Sequence, residues 1–443
     1  MDRARSTIES LAHGGDGVTR LSDGRTAFVP FSCPGDVVSL EVTEDHGRWV
    51  RASIAELHEP SPDRVEPPCP YFGVCGGCQW QHVAYARQAF EKRRSLVDSL
   101  TRIGGAASPD VADIIESPAH YGYRNKIELA VTEHGGRLTV GFSRTGTNDV
   151  VAVDSCLLLT GKHSHLPKSL AGALRFLMTR GNTRIVRAAL RVSSAGEIAV
   201  DVRTAPGPFP RALAARVLSE ATGARTVTRT MVRGTGDTRE IAGVEVLAGP
   251  GGWNEHLGAD RYRISAPSFF QVNTKAAERL REAALEALAC DGTMRVADLY
   301  AGAGTFTLPI ARAAGEAIAV EASKHALADL RYNLDAADLD ADVVPGDAAY
   351  ALADIGHVDA ALIDPPRAGI SEKAMRALID ARIPRVVYVS CDPATLARDV
   401  KRLTEAGYTP GRFVPVDLFP QTFHLETVAV LEVDPLRAMP AHV

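Results

Sequence analysis

The segment RVVYVSCDPATLARD (385–399) is an apolar run that delivers one cysteine, Cys391, into a turn. Upstream, VDAALID (358–364) ends in Asp364-Pro365-Pro366-Arg367. A carboxylate and a thiol at the ends of two strands suggest a nucleophile at the edge of a parallel sheet, where ligands of open α/β sheets sit. Such a thiol is a covalent catalyst when its neighbours favour the thiolate. A lone cysteine is more often a core residue, but Cys391 follows the apolar run instead of lying inside it. Near the C-terminus, LFPQTFHLETVAVL (418–431) sets His424 and Glu426 at the start of a last strand. Partial burial would lift the Glu426 carboxyl toward the range of a general base. His424 reads as an orienting or packing residue.

DLYAGAGTFTLPIA (298–311) places Gly302 and Gly304 after a strand and before a helix, where glycines let a ligand approach the backbone at a helix N-terminus. Glu321 closes the next strand, nineteen positions after Gly302, where an acid takes a ribose diol. Position 307 is threonine, not the third glycine of a dinucleotide fingerprint, and no second mononucleotide half is evident. An adenosyl ligand without a pyrophosphate fits better, and S-adenosylmethionine is the expected one.

Seven cysteines, an odd number in a long chain, argue for thiol or metal chemistry over a disulfide framework. CPYFGVCGGCQWQH holds Cys69, Cys75 and Cys78, and Cys156 ends a later strand-like run, VAVDSC. Four thiolates suit either tetrahedral zinc or a [4Fe–4S] cluster. Without a second CxxC a zinc ribbon is not expected, and the five residues between Cys69 and Cys75 are not the spacing of radical enzymes. Cys33 and Cys290 lack partners and read as structural.

The elements that carry these groups follow from pattern. At 443 residues the chain is too long for one core. Residues 1–60 show short alternating runs broken at Gly-containing turns, the pattern of a small β-barrel. A Pro-rich stretch (59–70) follows, then a helix from near Val83 to Gly104-Gly105. Residues 61–254 read as a central, mainly antiparallel domain, and 255–443 as alternating strands and helices, a doubly wound sheet. The net charge of −5 confines any phosphate-binding footprint to local basic stretches, at 87–94, 121–126 and 382–402. No apolar stretch approaches the roughly 20 residues that span a bilayer, and the N-terminus lacks a signal-peptide core. A cytoplasmic location is expected.

DPPRAG, sixteen residues, VVYVSCDPAT, then HLE resemble the signature of the RNA uracil-C5 methyltransferase family. SFFQVN (268–273), DLYAGAG, YRNK (123–126) and the cysteine segment match it too, and the first residues resemble the TRAM domain, an OB-like RNA-binding module. The resemblance spans about residues 6–431. It implies a multi-domain α/β protein: a TRAM barrel, a central α+β domain and a Rossmann-like methyltransferase domain. It implies Cys391 as nucleophile and Glu426 as base, with Gln271, Tyr300, Glu321 and Asp364 contacting the methyl donor or the target base. It also implies a [4Fe–4S] cluster on Cys69, Cys75, Cys78 and Cys156. The expected partner is RNA, ribosomal in preference to transfer RNA, with the chain acting as a monomer away from membranes. Three positions depart from the family pattern: Asp392 stands in place of asparagine, Ala301 in place of a frequent cysteine, and Thr305 where some members carry asparagine. Two rivals are an amino-group methyltransferase, which would place an aromatic residue at Arg367, and a non-catalytic RNA-binding protein on the same fold.

Overall fold

In the computed structural model, which describes residues 5–234 and 240–433, a single N-terminal stretch pairs along both of its edges. Residues β1 (Arg5–Thr7) and β2 (Ser10–Leu11) flank Ile8, followed by β3 (Gly17–Arg20), β4 (Thr26–Val29), β5 (Val37–Asp45) and β6 (Trp49–Glu59). The order β1-β5-β6-β4-β3-β2 sets β1 against β5 and β2 against β3. The bend between β1 and β2 therefore closes the sheet into a barrel, filled by Ile8, Ala27, Val29, Val38, Val50 and Ala52. Alternation of these small and branched residues along each strand is what turns one face inward.

Helix α1 (Tyr85–Arg102) leaves the barrel and packs against the C-terminal domain, with Leu96 and Leu100 in its core. A second sheet comprises β7 (Lys126–His134), β8 (Arg137–Ser143), β9 (Val150–Val151), β10 (Ile185–Val192), β11 (Ile198–Thr204), β12 (Thr226–Arg233) and β13 (Glu240–Ala248). Its order is β13-β12-β11-β10-β7-β8-β9, antiparallel except between β11 and β12. Helices α2 (Leu166–Arg180) and α3 (Arg211–Thr222) bury their apolar stripes against this sheet. The hairpin of β14 (Gly252–Leu257) and β15 (Asp260–Ser265) belongs instead to the C-terminal core through Trp253, Leu257 and Tyr262.

The C-terminal domain opens with α4 (Thr274–Leu288), then β16 (Arg295–Leu299), α5 (Thr307–Ala313), β17 (Glu316–Glu321), α6 (Lys324–Ala336), β18 (Asp342–Pro345) and α7 (Ala348–Asp354). It continues with β19 (Ala360–Ile363), α8 (Glu372–Ala381), β20 (Arg385–Ser390), α9 (Pro393–Glu405), β21 (Tyr408–Val416) and β22 (Glu426–Val433). The sheet runs β18-β17-β16-β19-β20-β22-β21. The first five strands of that order are parallel, and β22 enters antiparallel beside β20. The strands are buried on both faces, as apolar runs such as RVVYVS require. The chain order reverses between β16 and β19, so the crevice above these two strand ends is the place for a ligand.

Candidate active site

The loop after β16 is built for close approach. Tyr300 holds φ +68°, in the region that disfavours side chains, and turns the chain out of the strand. At Gly304, φ +95°, a Cβ would come within 2.9 Å of Leu308 and Leu330, so only glycine fits against α5 and α6. The Gly302 N–H donates to Glu321 Oε2 at 2.8 Å, and the Ser323 N–H donates to Oε1 at 2.6 Å. Glu321 is thereby fixed beside the glycine loop with part of its surface open, which suits recognition of a ribose diol.

Strand register brings the other groups level with it. Leu299 pairs with Val320 on one side and with Ile363 on the other, so Tyr300, Glu321 and Asp364 are the next residues out from three adjacent strand ends. Ser390 pairs with Thr427 across the antiparallel ladder of β20 and β22. The next pair outward in that register is Cys391 and Glu426, which brings thiol and carboxyl to one place from strands with opposite directions.

Burial sets the protonation states. Glu426 is 4% exposed, and burial, with the Asp364 charge second, raises its carboxyl well above the usual range. Asp364 is pushed up to about 7 by burial and then by Asp298. Asp298 is likewise pushed up to about 7 by burial, although it accepts a 2.5 Å bond from the Thr307 hydroxyl. The Cys391 thiol is pushed up to about 12 by burial, then by Glu426, Asp364 and Asp392, against the lowering effect of Arg367. Burial thus favours the protonated form of each of these three carboxyls and of the thiol.

Behind these groups lies a scaffold the sequence reading missed. Lys92, in the stretch RQAFEKRR, is fully buried and donates to Asp417 Oδ1 at 2.7 Å and to the Phe419 carbonyl at 3.0 Å. Tyr85 donates to Asp417 Oδ2, and Gln88 exchanges bonds with Gln421 in both directions. Residues 417–421, which lead into His424 and Glu426, are therefore bolted to α1. Arg93 and Arg94 bond the carbonyls of Val111, Ala112 and Leu11, so much of this basic run is engaged within the protein. Its apolar neighbours at helical spacing were the available signal that part of the run faces inward.

The YRNK and SFFQVN segments meet each other. The Asn125 side chain donates to the Gln271 carbonyl and its N–H to the Val272 carbonyl. Asn273 caps α4 while donating to the Leu418 carbonyl. Tyr123 is buried and donates to the Pro420 carbonyl at 2.9 Å, so its ring offers no face for a base. Gln271 is buried next to this junction. Phe270 packs with Trp253 and Tyr262 in the core, whereas Phe269 is 69% exposed, which leaves Phe269 as the ring open to a stacked base. His424 lies with its Nδ1 3.4 Å from Arg367 Nη2 and is pushed down to about 4, first by burial and then by Arg367.

A cleft of about 1600 Å³ among the described residues is lined by groups that do not include Cys391. It runs between the barrel and the central sheet, and Arg20, Arg48, Arg51, Arg94, Arg102, Arg124, Lys126 and Arg144 line it against the acidic Glu9, Asp16, Asp98 and Glu128. An acidic protein thus carries a locally basic channel, with Phe28, Trp49 and Phe72 among its aromatic walls. His13 and Phe423 close the end nearest the nucleophile loop.

Cys69, Cys75, Cys78 and Cys156 share one wall of this cleft, away from the thiol at 391. Burial raises the thiols of Cys75, Cys78 and Cys156, and the charges of the cluster add to it: Cys78 feels the other three and is pushed up to about 12. Arg124 counters this at Cys75 and Cys156. Among the described residues no group of three His, Cys, Asp or Glu converges tightly enough to hold a single metal ion. Cys33 is buried in contact with the barrel, as expected of a structural cysteine. No helix among the described residues is long and apolar enough to cross a membrane.

Comparison with known proteins adds the following. Residues 351–434 match the family described as tRNA (Uracil-5-)-methyltransferase, and residues 5–55 match the TRAM domain. A protein of Gloeobacter violaceus described as an uncharacterized RNA methyltransferase is 36% identical over 96% of this chain and 95% of its own length. One of Halalkalibacterium halodurans with the same description is 33% identical over 97% of each chain. Among solved structures, the tRNA (uracil-54, C5)-methyltransferase of Pyrococcus abyssi, in complex with S-adenosyl-L-homocysteine, superposes with a TM-score of 0.73 and 26% identity. That likeness covers 97% of this chain and 100% of the other.

Proposed function

The chain belongs to the RNA methyltransferase family of the uracil-5 type, with a TRAM domain, and from that premise we propose how and on what it acts. It is an S-adenosylmethionine-dependent RNA (uracil-5-)-methyltransferase. In our reading Cys391 is the nucleophile and Glu426 the base. The observation that carries this is their position as facing residues at the end of the β20–β22 ladder, beside the Glu321–glycine loop.

Uracil C5 is too poor a nucleophile to take a methyl group unaided. Cys391 gives up its thiol proton to solvent as the uracil binds, and the thiolate bonds to C6 and converts the ring to an enolate. C5 then displaces the sulfonium methyl of the donor, releasing S-adenosylhomocysteine. Glu426 removes the C5 proton, the C6–sulfur bond breaks, and 5-methyluridine leaves with the thiolate restored. One hard substitution is thus divided into easier steps. Asp364, protonated near neutrality, is suited to donate to the pyrimidine edge, and Glu321, with the backbone of Gly302, to bind the donor ribose. Gln271 and Tyr300 flank the same crevice in this reading. The uridine must leave its stack to reach it, at a cost of a few kcal/mol, which stacking on Phe269 helps to offset.

For the four cysteines we infer a [4Fe–4S] cluster held by Cys69, Cys75, Cys78 and Cys156. It would supply a covalent tie between the cysteine segment and the central sheet, since transfer from a sulfonium needs no electron. Ribosomal RNA is the substrate suggested by the pairing of barrel and cluster. Transfer RNA is the second reading, favoured by the full-length likeness to the Pyrococcus abyssi enzyme. Mass-spectrometric mapping of 5-methyluridine in both RNAs from a deletion strain tests this: loss of one residue in one RNA names the substrate, and no loss in either overturns the reading.

A further inference from the structure

We propose that His13, on the N-terminal barrel, is a positioning residue for the nucleophile loop, holding the Asp392 carboxylate away from Cys391 so that barrel docking conditions the reactivity of the thiol. The proposal rests on the reading of Cys391 as the nucleophile. Asp392 follows that cysteine directly, and a carboxylate there opposes a thiolate.

The carboxylate is fully engaged elsewhere. Asp392 Oδ1 accepts from the N–H groups of Ala394 and Thr395 at 3.0 and 2.9 Å, capping α9. Oδ2 lies 3.1 Å from His13 Nε2. A carboxylate held well below the usual range can only accept, so Nε2 carries the hydrogen. Capping alone does not call for a charge, because asparagine caps a helix as well as aspartate. The cap and the helix N-terminus favour the charge at 392, but that charge still burdens the neighbouring thiol, and His13 is the side chain bonded to its free oxygen.

His13 is held in place by independent contacts. Leu11 N–H donates to Glu91 on α1, Arg94 donates to the Leu11 carbonyl, and Trp80 Nε1 donates to the Gly15 carbonyl at 2.9 Å. The turn passes through Gly14 and Gly15 at φ +116° and +102°, and a Cβ at Gly15 would stand 3.1 Å from Gln79 and 3.3 Å from Phe423. The His13 ring meets the edge of Phe423, 5.6 Å between centroids. The groups around the thiol are Glu426 from β22, Asp364 and Arg367 from the end of β19, and Asp392 itself, with Arg398 on α9 and His424 next beyond. His13 reaches this set through its bond to Asp392, and it is the contribution of the N-terminal barrel.

The test is the rate of iodoacetamide alkylation at Cys391, read by peptide mass spectrometry on the full chain between pH 6 and 10. His13→Ala should slow alkylation about three- to tenfold near neutrality and move the profile to higher pH, tenfold corresponding to one pH unit. His13→Gln, which keeps an N–H donor, should recover most of the rate. Asp392→Asn should match or exceed the wild type, and adding His13→Ala to it should change nothing. Equal slowing by His13→Ala in both backgrounds, or slowing by Asp392→Asn alone, overturns the proposal. Methylation by Cys391→Ala is measured separately: activity there would remove the nucleophile reading and leave the His13 coupling standing.

Discussion

Cys391 and Glu426 face each other across the β20–β22 ladder, one position beyond the Ser390–Thr427 pair. A thiol at the end of one strand and a carboxyl at the start of its antiparallel neighbour can address opposite ends of a single bond-making sequence on one ring. The pairing also explains why burial of one bears on the other: Glu426 is the largest charge effect on the thiol.

Replacing Cys391 by alanine should abolish methylation and leave donor affinity within about twofold. RNA carrying 5-fluorouridine should trap a covalent adduct with the wild type, because C5 then lacks the proton that must leave. A denaturation-resistant adduct in the alanine variant would remove Cys391 from its role.

Glu426→Gln should accumulate a methylated covalent RNA–protein complex, since elimination waits on loss of the C5 proton. Burial raises this carboxyl well above the usual range, so the ionised base forms at higher pH than an ordinary glutamate needs, and the wild-type rate of adduct breakdown should rise with pH. Complete loss of the adduct in the variant would place Glu426 before methyl transfer.

Arg48, just before β6 of the barrel, and Arg144, just after β8 of the central sheet, both line the basic cleft. Changing both to alanine should weaken RNA binding and flatten the log–log salt dependence by roughly 1.4, as two lost phosphate contacts to a single strand imply. Donor affinity should not move. An unaltered salt slope, measured by fluorescence anisotropy, would send the RNA along another face.

Protein purified without oxygen should be brown, with iron and acid-labile sulfide in proportion and broad absorption near about 400 nm. Cys75→Ser should lose most of both. Stoichiometric zinc without sulfide in that preparation would refute the cluster.

Asp298 offers a test of site electrostatics through stability. Its carboxyl sits at about 7 in the fold against an ordinary 3.8, so the folded state favours the proton. Its contribution is therefore complete below about pH 4 and is lost as pH rises through 7. Asp298→Asn, which keeps an acceptor for Thr307, removes that loss. The variant should be more stable than the wild type at pH 8.5, by at most roughly 4 kcal/mol, and similarly stable at pH 4.5, read by chemical denaturation. A difference of equal size at both values would contradict the raised carboxyl.

Local pattern was enough to identify the strands that carry the chemistry. Apolar runs ending in Asp364, Glu321 and Cys391, and glycines at 302 and 304, are properties of short segments, and a parallel sheet aligns such ends by register alone. The four grouped cysteines and the barrel before the Pro-rich stretch were legible for the same reason. What the segments could not tell was which face a residue meets. Phe269 and Phe270 are neighbours with opposite fates, and Tyr123, in the basic stretch 121–126, is buried against the Pro420 carbonyl. Lys92 reads as one member of a basic run, yet its amine is buried against Asp417, a residue 325 positions away. The antiparallel entry of β22 beside β20, and the reach of His13 from the barrel to Asp392, likewise depend on contacts far apart in the chain. Strand and turn propensities act over a few residues, whereas burial and ion pairing are settled only when whole elements pack. The sequence alone therefore determined which residues could do chemistry, and the tertiary structure decided which of them stand together.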